Sequence, residues 1–589
     1  MRMKLRPGLH YAPVHKGVFI GTEKAKFVLG GPPVLFRLVD LCVPRLEEGC
    51  TEEDLLAAVG DSENGRKAVR HVLSVLREHG LLLDLDAVGE PDRADQERFA
   101  DALCQLEAES ADPYAAFARL RRARVLLQGP ARVVLPAART LARSGIGEVV
   151  LVVAAEETAA LAATVERYPA VTVTVAGGPE ELPEADAAVV CVAATDLATA
   201  PAGPSAPLVV PVLLGTPVAV VGPPAEWSAD FDRATRLRER AVRWADGEQP
   251  YPRATGDALA VGLAAQLVFR MLGGIVRADN SYVVHGPTLE VAALGLGALP
   301  EPRPGVLALD ALSDGAVEDA SRTAEEWHGL VKAAAEPWTG LLRLSAPVDL
   351  PQLPLSLAAV EDMDVEAGLP LVRWAADQAT AGVEAGLTGL RAMANRCPSL
   401  PADQAPATGP RTVGAAGLTA DRWLVDGALR ILAPTARKVA ELPYQEVGTD
   451  EGRRLWRALE DFELVPVRMD LLAVAGVDWL LARVTRRDTG ELLSVGWGRD
   501  GHHAALAALA NAMARTQVLR VRGKDLVGHQ VETAAINDVE PAELAILCEQ
   551  LREHFGVLGL RLVGTSHPAD PLLGSLEPWW GPVTLEAVR

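Results

Sequence analysis

The sequence predicts a multidomain α/β protein with a winged-helix-like module first, a doubly wound α/β domain second and an α+β domain last. With 589 residues, the chain is long enough for about three to five domains. In the second domain, apolar runs rich in β-branched residues alternate with helical patterns, as in a doubly wound sheet. Pro-bearing stretches at 86–99 and 298–305 separate the blocks. We therefore expect domains at 1–85, 100–302 and 305–589.

The overall charge argues against two classes of binding protein. The formal net charge is -21, whereas a general binder of nucleic acid or of membrane surfaces needs a basic face. We therefore expect neither nucleic acid nor a membrane as a partner. The N-terminal arm is an exception, because only Glu23 opposes a group of basic residues there: Arg2, Lys4, Arg6, Lys16, Lys24 and Lys26. An acidic partner is expected at that end.

Features that bear on location predict a cytoplasmic protein. The N-terminal basic residues are not followed by an apolar run, so they do not form a signal peptide. The longest uncharged stretch, 206–225, carries prolines and β-branched residues that favour two buried strands over a membrane span. The six cysteines form no C-x-x-C pair, which argues against both a zinc clamp and a disulfide framework. Reduced thiols are expected.

The first block has the pattern of a small hairpin followed by three helices. Strand-like runs at Val18–Gly21 and Ala25–Leu29 flank a polar turn. Thr51 stands three residues before Asp54, which is typical of a capping box at the start of a helix. A later helix has apolar residues on one face: Val69, Val72, Leu73 and Leu76. This order predicts a winged-helix-like module.

The second block carries strand signals with helical patterns between several of them: Arg124–Leu127, Val149–Val153, Val171–Val175, Ala187–Cys191 and Val209–Leu213. Its first strand–loop–helix unit has the layout of a nucleotide-binding motif. Gly129 is present, but Ala131 and Val134 occupy the places of the second and third glycines. The next strand ends in Val153, where an acid would bind ribose hydroxyls. We therefore predict that this domain does not bind a nucleotide.

The third block mixes long Ala- and Leu-rich helices with strands, which indicates an α+β domain. His502 and His503 follow Asp500 at the start of an alanine-rich helix. No third ligand or nucleophile stands at motif spacing from them, so the group is interpreted as a helix N-terminal cap rather than a catalytic site.

The order of these blocks resembles the Ocin-ThiF-like proteins, the E1-like partners of azoline-forming cyclodehydratases in ribosomal peptide pathways. The resemblance is carried by the winged-helix module, "RVLLQGP…ARTLARSGIGEVVLVV", "VAVVGPPAEW" and "HGPTLEVAALGLGAL". It covers about 1–300. It implies a Rossmann-like E1 domain behind a PqqD-like RiPP recognition element at 1–85, which captures the leader of a precursor peptide. Family members often hold zinc through C-x-x-C pairs that this chain lacks, so no metal is expected.

The resemblance implies that an acidic leader pairs with the strand at Lys24–Gly30 and lies against the helix at Arg66–Arg77. The lysines would attract the leader, and apolar side chains would bind its anchors. The implied peptide-binding residues are Lys24, Lys26, Phe27, Val28, Leu29, Arg66, Val69, Arg70, Leu73 and Leu76. An alternative interpretation is that the lysines only protect a strand edge from aggregation and that the helix belongs to the core.

The third block is similar to a YcaO domain in "LPLVRWAADQATAGVEAGLTGLRAMANRC" and "LLSVGWGRDGHHAALAALANAMARTQ". Active YcaO enzymes hold Mg²⁺ and a nucleotide through acids, and the matching positions here are neutral: Ala392, Asn395 and Asn511. Neutral side chains cannot supply the anionic oxygens of such a site. Arg396 and Gln517 remain, and Arg391 adds a positive charge. The resemblance therefore implies a non-catalytic YcaO-like domain.

Three hypotheses about function follow. The first is a scaffold without catalytic residues or cofactors, which binds a leader peptide and presents the precursor to a separate, active YcaO cyclodehydratase for thiazoline or oxazoline formation, as in thiopeptide biosynthesis. ATP and Mg²⁺ would then be bound only by the partner. The second is that the chain is itself an ATP-dependent fused cyclodehydratase with displaced ligands. The third is a scaffold for another modification, such as dehydration. A homodimer is expected only by analogy.

Overall fold

The computed structural model describes most of the chain: residues 2–22, 25–87, 89–175, 182, 184–193, 206–224, 227–245, 253–275, 280–296, 299, 303–312, 324–345, 350–362, 370–396, 412–528, 530–573 and 577–588. The chain divides into two compact units. The first comprises Met1–Arg238 and Gly247–Leu296, and the second comprises Glu239–Asp246 and Gly297–Arg589.

The N-terminal part of the first unit contains the expected hairpin and three helices, together with further short strands. Its elements are β1 (Arg2–Leu5), β2 (His10–Val14), β3 (Gly17–Gly21), β4 (Lys26–Gly30), α1 (Val34–Glu48), β5 (Cys50–Thr51), α2 (Glu52–Ala58), α3 (Glu63–Glu78) and β6 (Leu82–Asp84). The strands form two small sheets, in the orders β5-β1-β6 and β2-β3-β4. We call this part the N-terminal module.

Local sequence explains where these helices begin and what they bury. The capping box at α2 is confirmed, because the Asp54 amide donates to the Thr51 hydroxyl and the Thr51 amide donates to the Asp54 carboxylate. The apolar face of α3 is buried against side chains of the β-strands and α1. That burial supplies most of the stability of so short a helix.

The remainder of the first unit is an α/β domain. Its elements are α4 (Arg93–Arg98), α5 (Ala100–Glu109), α6 (Pro113–Arg122), β7 (Arg124–Gln128), α7 (Ala131–Arg143), β8 (Glu148–Val153), α8 (Thr158–Arg167), β9 (Val171–Val175), β10 (Ala187–Ala193), β11 (Val209–Leu214), β12 (Val218–Val221), α9 (Trp227–Trp244), α10 (Arg253–Leu272), β13 (Asn280–His285) and β14 (Glu290–Gly295). All the strand signals of the second block correspond to strands.

These strands form one sheet in the order β14-β13-β12-β11-β10-β7-β8-β9. Strands β9, β8, β7, β10 and β11 are parallel, and β12, β13 and β14 extend the sheet in antiparallel fashion. The chain order reverses between β7 and β10, which is the switch point where doubly wound folds form their ligand crevice. The predicted mixed α/β class is confirmed. The stretch 206–225 supplies β11 and β12, as expected.

Helix α10 is a core helix of the first unit. Its segment Ala254–Leu272 is long and apolar enough to cross a membrane by length and composition, but about half of this apolar segment is buried inside the protein. The buried side chains include Val261, Leu267 and Val268, which pack in the same core as β7 and α7.

The second unit is built from three sheets and several buried helices. Its elements are β15 (Val306–Ala308), α11 (Ala324–Ala334), β16 (Leu342–Ser345), β17 (Ser356–Asp362), β18 (Leu371–Ala375), α12 (Gln378–Arg396), β19 (Thr412–Gly417), α13 (Ala420–Leu432), β20 (Arg437–Glu441), α14 (Asp450–Arg457), β21 (Val467–Val474), β22 (Val477–Arg486), β23 (Leu492–Gly498), α15 (Gly501–Arg522), β24 (Val531–Glu532), α16 (Pro541–Val557), β25 (Leu560–Thr565) and β26 (Trp579–Ala587). The sheet orders are β15-β25-β26-β19, β16-β17-β18 and β20-β21-β22-β23-β24.

Candidate functional site

Strand β4 is an edge strand of the N-terminal module. It pairs with β3 along its whole length, from Gly21 opposite Lys26 to Gly17 opposite Gly30, and the described strands leave its other edge without a partner. The opposite edge of this sheet is β2, which contains Pro13. An unprotected edge presents unpaired backbone N–H and C=O groups, which can bond to another strand.

The side chains of β4 alternate between the two faces of the sheet. Lys26 and Val28 are exposed, and 52% of the Val28 surface is accessible to water. Phe27 is half-buried and Leu29 is buried. Lys24 lies outside the described residues. The free edge therefore carries a cation and an exposed apolar side chain on one face and an aromatic ring on the other.

Part of the predicted site belongs to the core. Leu29, Val69, Leu73 and Leu76 are at most 3% exposed and pack in the core of the N-terminal module. In this conformation a docked peptide cannot reach their side chains. These four residues therefore support the surface from beneath and do not form it.

Arg66 and Arg70 lie away from β4. Arg70 pairs with Glu52 of α2 at 3.2 Å, and Arg66 pairs with Asp61 in the turn before α3 at 3.6 Å. The helical period places both arginines on nearly the opposite side of α3 from Val75. The structure therefore does not bring them together with the strand edge.

Residues that sequence analysis missed join β4 to α3. The Phe27 ring stacks on His79, the C-cap residue of α3, with ring centroids 3.8 Å apart and planes inclined by 12°. Val75 is half-buried and lies one turn earlier on the same face as His79. Phe27, Val75 and His79 thus line the side of the β4 edge that faces the helix. The only signal in the sequence was the four-residue spacing of Val75 and His79 on an amphipathic helix.

Three of the six basic residues of the N-terminal arm contact the chain itself. Lys4 Nζ lies 2.7 Å from the buried carboxylate of Glu107, and Arg6 donates to the backbone oxygens of Glu107 and Ser110. Arg2 pairs with Glu90 at 3.1 Å. These contacts fix the N-terminal module on α5, so the cation that the described part of β4 offers to an acidic partner is Lys26.

The crevice at the switch point contains the chain's own groups. Gly129 follows β7 with a φ of +147°, and a Cβ there would lie 2.8 Å from the side chain of Cys191 on β10. The Ala131 amide, at the N-terminus of α7, donates to Glu157 Oε1 at 3.1 Å. An N-terminal amide of this kind is the donor that a phosphate would use. The carboxylate of Glu157 therefore occupies an anion-binding position, a contact that the sequence alone did not reveal.

The second unit contains a buried ion cluster, formed by Arg373, Glu384, Arg391, Asp426, Arg430 and Glu532. Asp426 is its centre, since its carboxylate accepts from Arg391 at 3.0 Å, from Arg430 at 2.9 Å and from the Thr533 hydroxyl at 2.6 Å. Burial alone raises the pKa of Asp426, but Arg391 and Arg430 outweigh it, and the pKa lies below its ordinary value.

The electrostatics of this cluster are balanced by its own members. Three guanidinium groups face three carboxyl groups, so the formal charges cancel. Burial raises the pKa of Glu384 to about 7, against the opposing field of Arg391. Burial also lowers the pKa of Arg373 to about 10, although Glu532 acts in the other direction. A cluster neutralised by arginines has little excess negative charge with which to attract Mg²⁺.

The positions matched to YcaO acids lie on two helices, α12 and α15. Asn395 is exposed at the end of α12, where its Oδ1 accepts from the Gly414 amide. Ala392 is half-buried and Arg396 is exposed. Asn511 and Gln517 are buried in α15, and each has a side-chain oxygen without a hydrogen-bond partner among the described residues. Within the described ranges, no three His, Cys, Asp or Glu side chains are grouped so that they could hold a metal ion.

The group around the histidine pair is a helix N-terminal cap, as predicted, and Asp500 is the capping residue. Asp500 Oδ1 accepts from the amides of His502 and His503, each at 2.9 Å, at the start of α15. Burial raises the pKa of Asp500, but the backbone and ring contacts of His503 outweigh it and hold that pKa below its ordinary value. The group therefore stabilises the N-terminus of α15.

No family model matches the chain, and no curated protein matches it. Solved structures resemble about half of it. E. coli MccB with ATP has a TM-score of 0.37 and 15% identity, covering 51% of this chain and 98% of that one. The microcin C7 biosynthetic enzyme MccB with N-formylated MccA has 0.36 and 15%, covering 51% and 98%. PaaA has 0.36 and 15%, covering 49% and 99%. TM-scores at this level support no inference about activity.

Proposed function

We propose that this protein is a leader-peptide-binding scaffold that presents a ribosomal precursor peptide to a separate YcaO cyclodehydratase for thiazoline or oxazoline formation. The observation that carries the proposal is the free edge of β4, flanked by Lys26 and Val28 on one face and by the Phe27–His79 stack on the other. An extended peptide that adds to this edge gains backbone hydrogen bonds for affinity and alternate side-chain contacts for specificity.

The peptide that fits this edge is acidic and partly apolar. Lys26 is exposed on β4, and the three strands of its sheet carry no acidic residue. Val28, Phe27 and Val75 offer apolar surface beside it. A leader with acids next to apolar anchors would satisfy both requirements.

The proposal assigns no catalysis to the chain. In the first unit, Glu157 fills the position that a phosphate would take at α7. In the second unit, the buried ion cluster is balanced internally, and the residues matched to YcaO acids are neutral. ATP and Mg²⁺ would be bound only by the partner enzyme. That enzyme would activate the amide oxygen, which leaves as each ring forms.

The benefit of such a scaffold is kinetic. Once the leader is held, the encounter between the core peptide and the partner becomes intramolecular, with an effective concentration of up to about millimolar for a short flexible linker. The scaffold therefore accelerates modification without touching the reacting atoms.

The proposal is tested with a fluorescein-labelled synthetic leader peptide, an extended sequence in which acidic residues stand beside apolar residues. We expect saturable fluorescence polarisation with a micromolar or lower Kd. Val28→Asp should weaken binding at least tenfold, because it places a negative charge at the edge that receives an acidic strand. Ala58→Asp puts the same charge on an exposed position of α2 and should leave binding unchanged. If no peptide binds, the proposed function is wrong. If peptide binds but both variants behave like the wild type, the function stands and the β4 edge is not its site.

Reconstitution separates the scaffold from the alternative of a fused ATP-dependent cyclodehydratase. Mass spectrometry should detect loss of water from the precursor only when this chain, the partner YcaO enzyme, ATP and Mg²⁺ are all present. Cyclisation by this chain alone with ATP would establish the alternative.

A further inference from the structure

The outward face of the β2–β3–β4 sheet forms an apolar row across three strands. The register aligns Ala12 of β2 with Phe19 of β3 and with Val28 of β4. Ala12 and Val28 are exposed and Phe19 is half-buried. The Phe19 ring lies over Gly21, where an added Cβ would approach the ring to 2.9 Å. The row therefore reaches the unpaired edge of the sheet with Ala12 and Val28 exposed and Phe19 partly exposed.

The neighbouring row on the same face is basic. It runs from His10 through Gly21 to Lys26, and both terminal side chains are exposed. The third row, Val14–Gly17–Gly30, has a single side chain. At the β4 edge the outward face thus offers a cation at Lys26 and, two residues further along, an apolar side chain at Val28.

We infer that this outward face determines which leaders the β4 edge binds, by selecting an acidic and an apolar residue two positions apart. The inference rests on the proposed function, since it assumes a strand added to β4. Side chains of an added strand alternate between faces, and facing residues on adjacent strands are in contact. The acidic residue would face Lys26, and the apolar residue would extend the Ala12–Phe19–Val28 row.

The residue between these two positions points to the other face. There it meets Phe27, which stacks on His79, and the half-buried Val75. An apolar or aromatic residue fits that position. The preferred segment is therefore an acid followed or preceded by two apolar residues, with its direction set by whether the leader runs parallel or antiparallel to β4.

The test uses two labelled synthetic peptides that share an alternating, strand-forming sequence and differ at one outward position, which is Glu in one and Lys in the other. The wild type should bind the Glu peptide at least tenfold more tightly. Lys26→Glu should reverse this preference, a charge swap that a purely structural effect cannot produce. Lys67→Glu, on α3 three turns from His79, is the matched control and should retain the wild-type preference.

Val28→Thr tests the apolar row with nearly unchanged side-chain shape. The variant should therefore fold, but it should bind the Glu peptide several-fold more weakly than the wild type does. A thermal unfolding curve verifies that it is folded. If the leader binds but is insensitive to both Lys26→Glu and Val28→Thr, the selectivity of the outward face is refuted while the scaffold function stands. If the leader itself does not bind, the proposed function fails as well.

Discussion

The carboxylate of Glu157 accepts a hydrogen bond from the Ala131 amide at 3.1 Å, at the N-terminus of the helix that follows the central strand of the doubly wound sheet. A side chain of the chain thus takes the position at which such folds bind phosphate. The contact is local, since Glu157 follows β8, the strand next to β7 in the sheet.

We expect the wild type to show no saturable binding of ATP, with or without Mg²⁺, in isothermal titration calorimetry. Glu157→Ala should acquire weak, salt-sensitive binding, because it exposes an amide and the positive end of the α7 dipole. Glu156→Ala removes an exposed neighbouring carboxylate and is the control. Micromolar ATP binding by the wild type would contradict the interpretation.

His79→Ala should weaken leader binding by about two- to tenfold, because an aromatic pair contributes about 0.5–1.5 kcal/mol. The loss arises because Phe27 is no longer held in place at the β4 edge. Arg70→Ala should leave the Kd unchanged, since Arg70 faces α2. Fluorescence polarisation of the labelled leader measures both, and equal losses would indicate that the peptide lies elsewhere on α3.

Leu73→Ala should lower the free energy of unfolding of the N-terminal module by about 2–5 kcal/mol, the usual cost of a cavity in a packed core. The Leu73 side chain is 1% exposed. Val28→Ala, at an exposed site on the strand edge, should cost far less. Urea denaturation monitored by circular dichroism measures the difference. A stable Leu73→Ala variant with impaired leader binding would instead place Leu73 in the binding surface.

Asp426→Asn should destabilise the second unit by about 3–5 kcal/mol, because it removes one of the three carboxylates that balance the buried arginines and leaves one positive charge of the cluster uncompensated. Asp488→Asn removes the partner of Arg486 in an exposed pair and should change little, because water screens such pairs. Differential scanning calorimetry of the two variants gives the comparison. Similar melting temperatures would mean that the buried ion cluster does not hold the helices together.

The stability of the Glu384→Gln variant, relative to that of the wild type, should increase as the pH rises. The pKa of Glu384 is raised from 4.5 to about 7 in the folded protein, so the folded state binds this proton more tightly than the unfolded state. Stability is therefore lost as the pH rises from 4.5 to about 7, and the loss is complete above that range. The melting temperature of the variant relative to the wild type should increase across this window. If the difference in melting temperature between variant and wild type stays constant across this window, protonation of Glu384 does not contribute to the pH dependence of stability.

Sequence patterns predicted the strands and helix caps whose structure depends on residues close together in the sequence. The five β-branched runs of the second block became strands because each is a short apolar segment bounded by turns, and Asp500 and Thr51 cap helices because their side chains reach amides two or three residues away. β1 could not be predicted in this way. Its residues Met3–Leu5 pair with Leu82–Asp84 of β6, far along the chain.

The candidate site shows the same limit. An apolar face on α3 indicates a buried surface, but periodicity cannot tell whether a peptide or the module's own sheet covers it. The Phe27–His79 stack is a contact between residues far apart in the sequence, so no local spacing predicts it. In the second unit, Glu384, Asp426 and Glu532 come from three separate elements, so they have no common motif in the sequence.

The proline in β2 sets the valency of the N-terminal module. Pro13 has no amide hydrogen, and prolines in sheets are confined to edges where that hydrogen would point to solvent. A peptide strand that paired with β2 would lack one backbone hydrogen bond in the middle of the ladder. Strand β4 contains no proline, so its ladder of hydrogen bonds is not interrupted. Each chain should therefore take up one leader and never two, and native mass spectrometry at saturation should give a one-to-one stoichiometry.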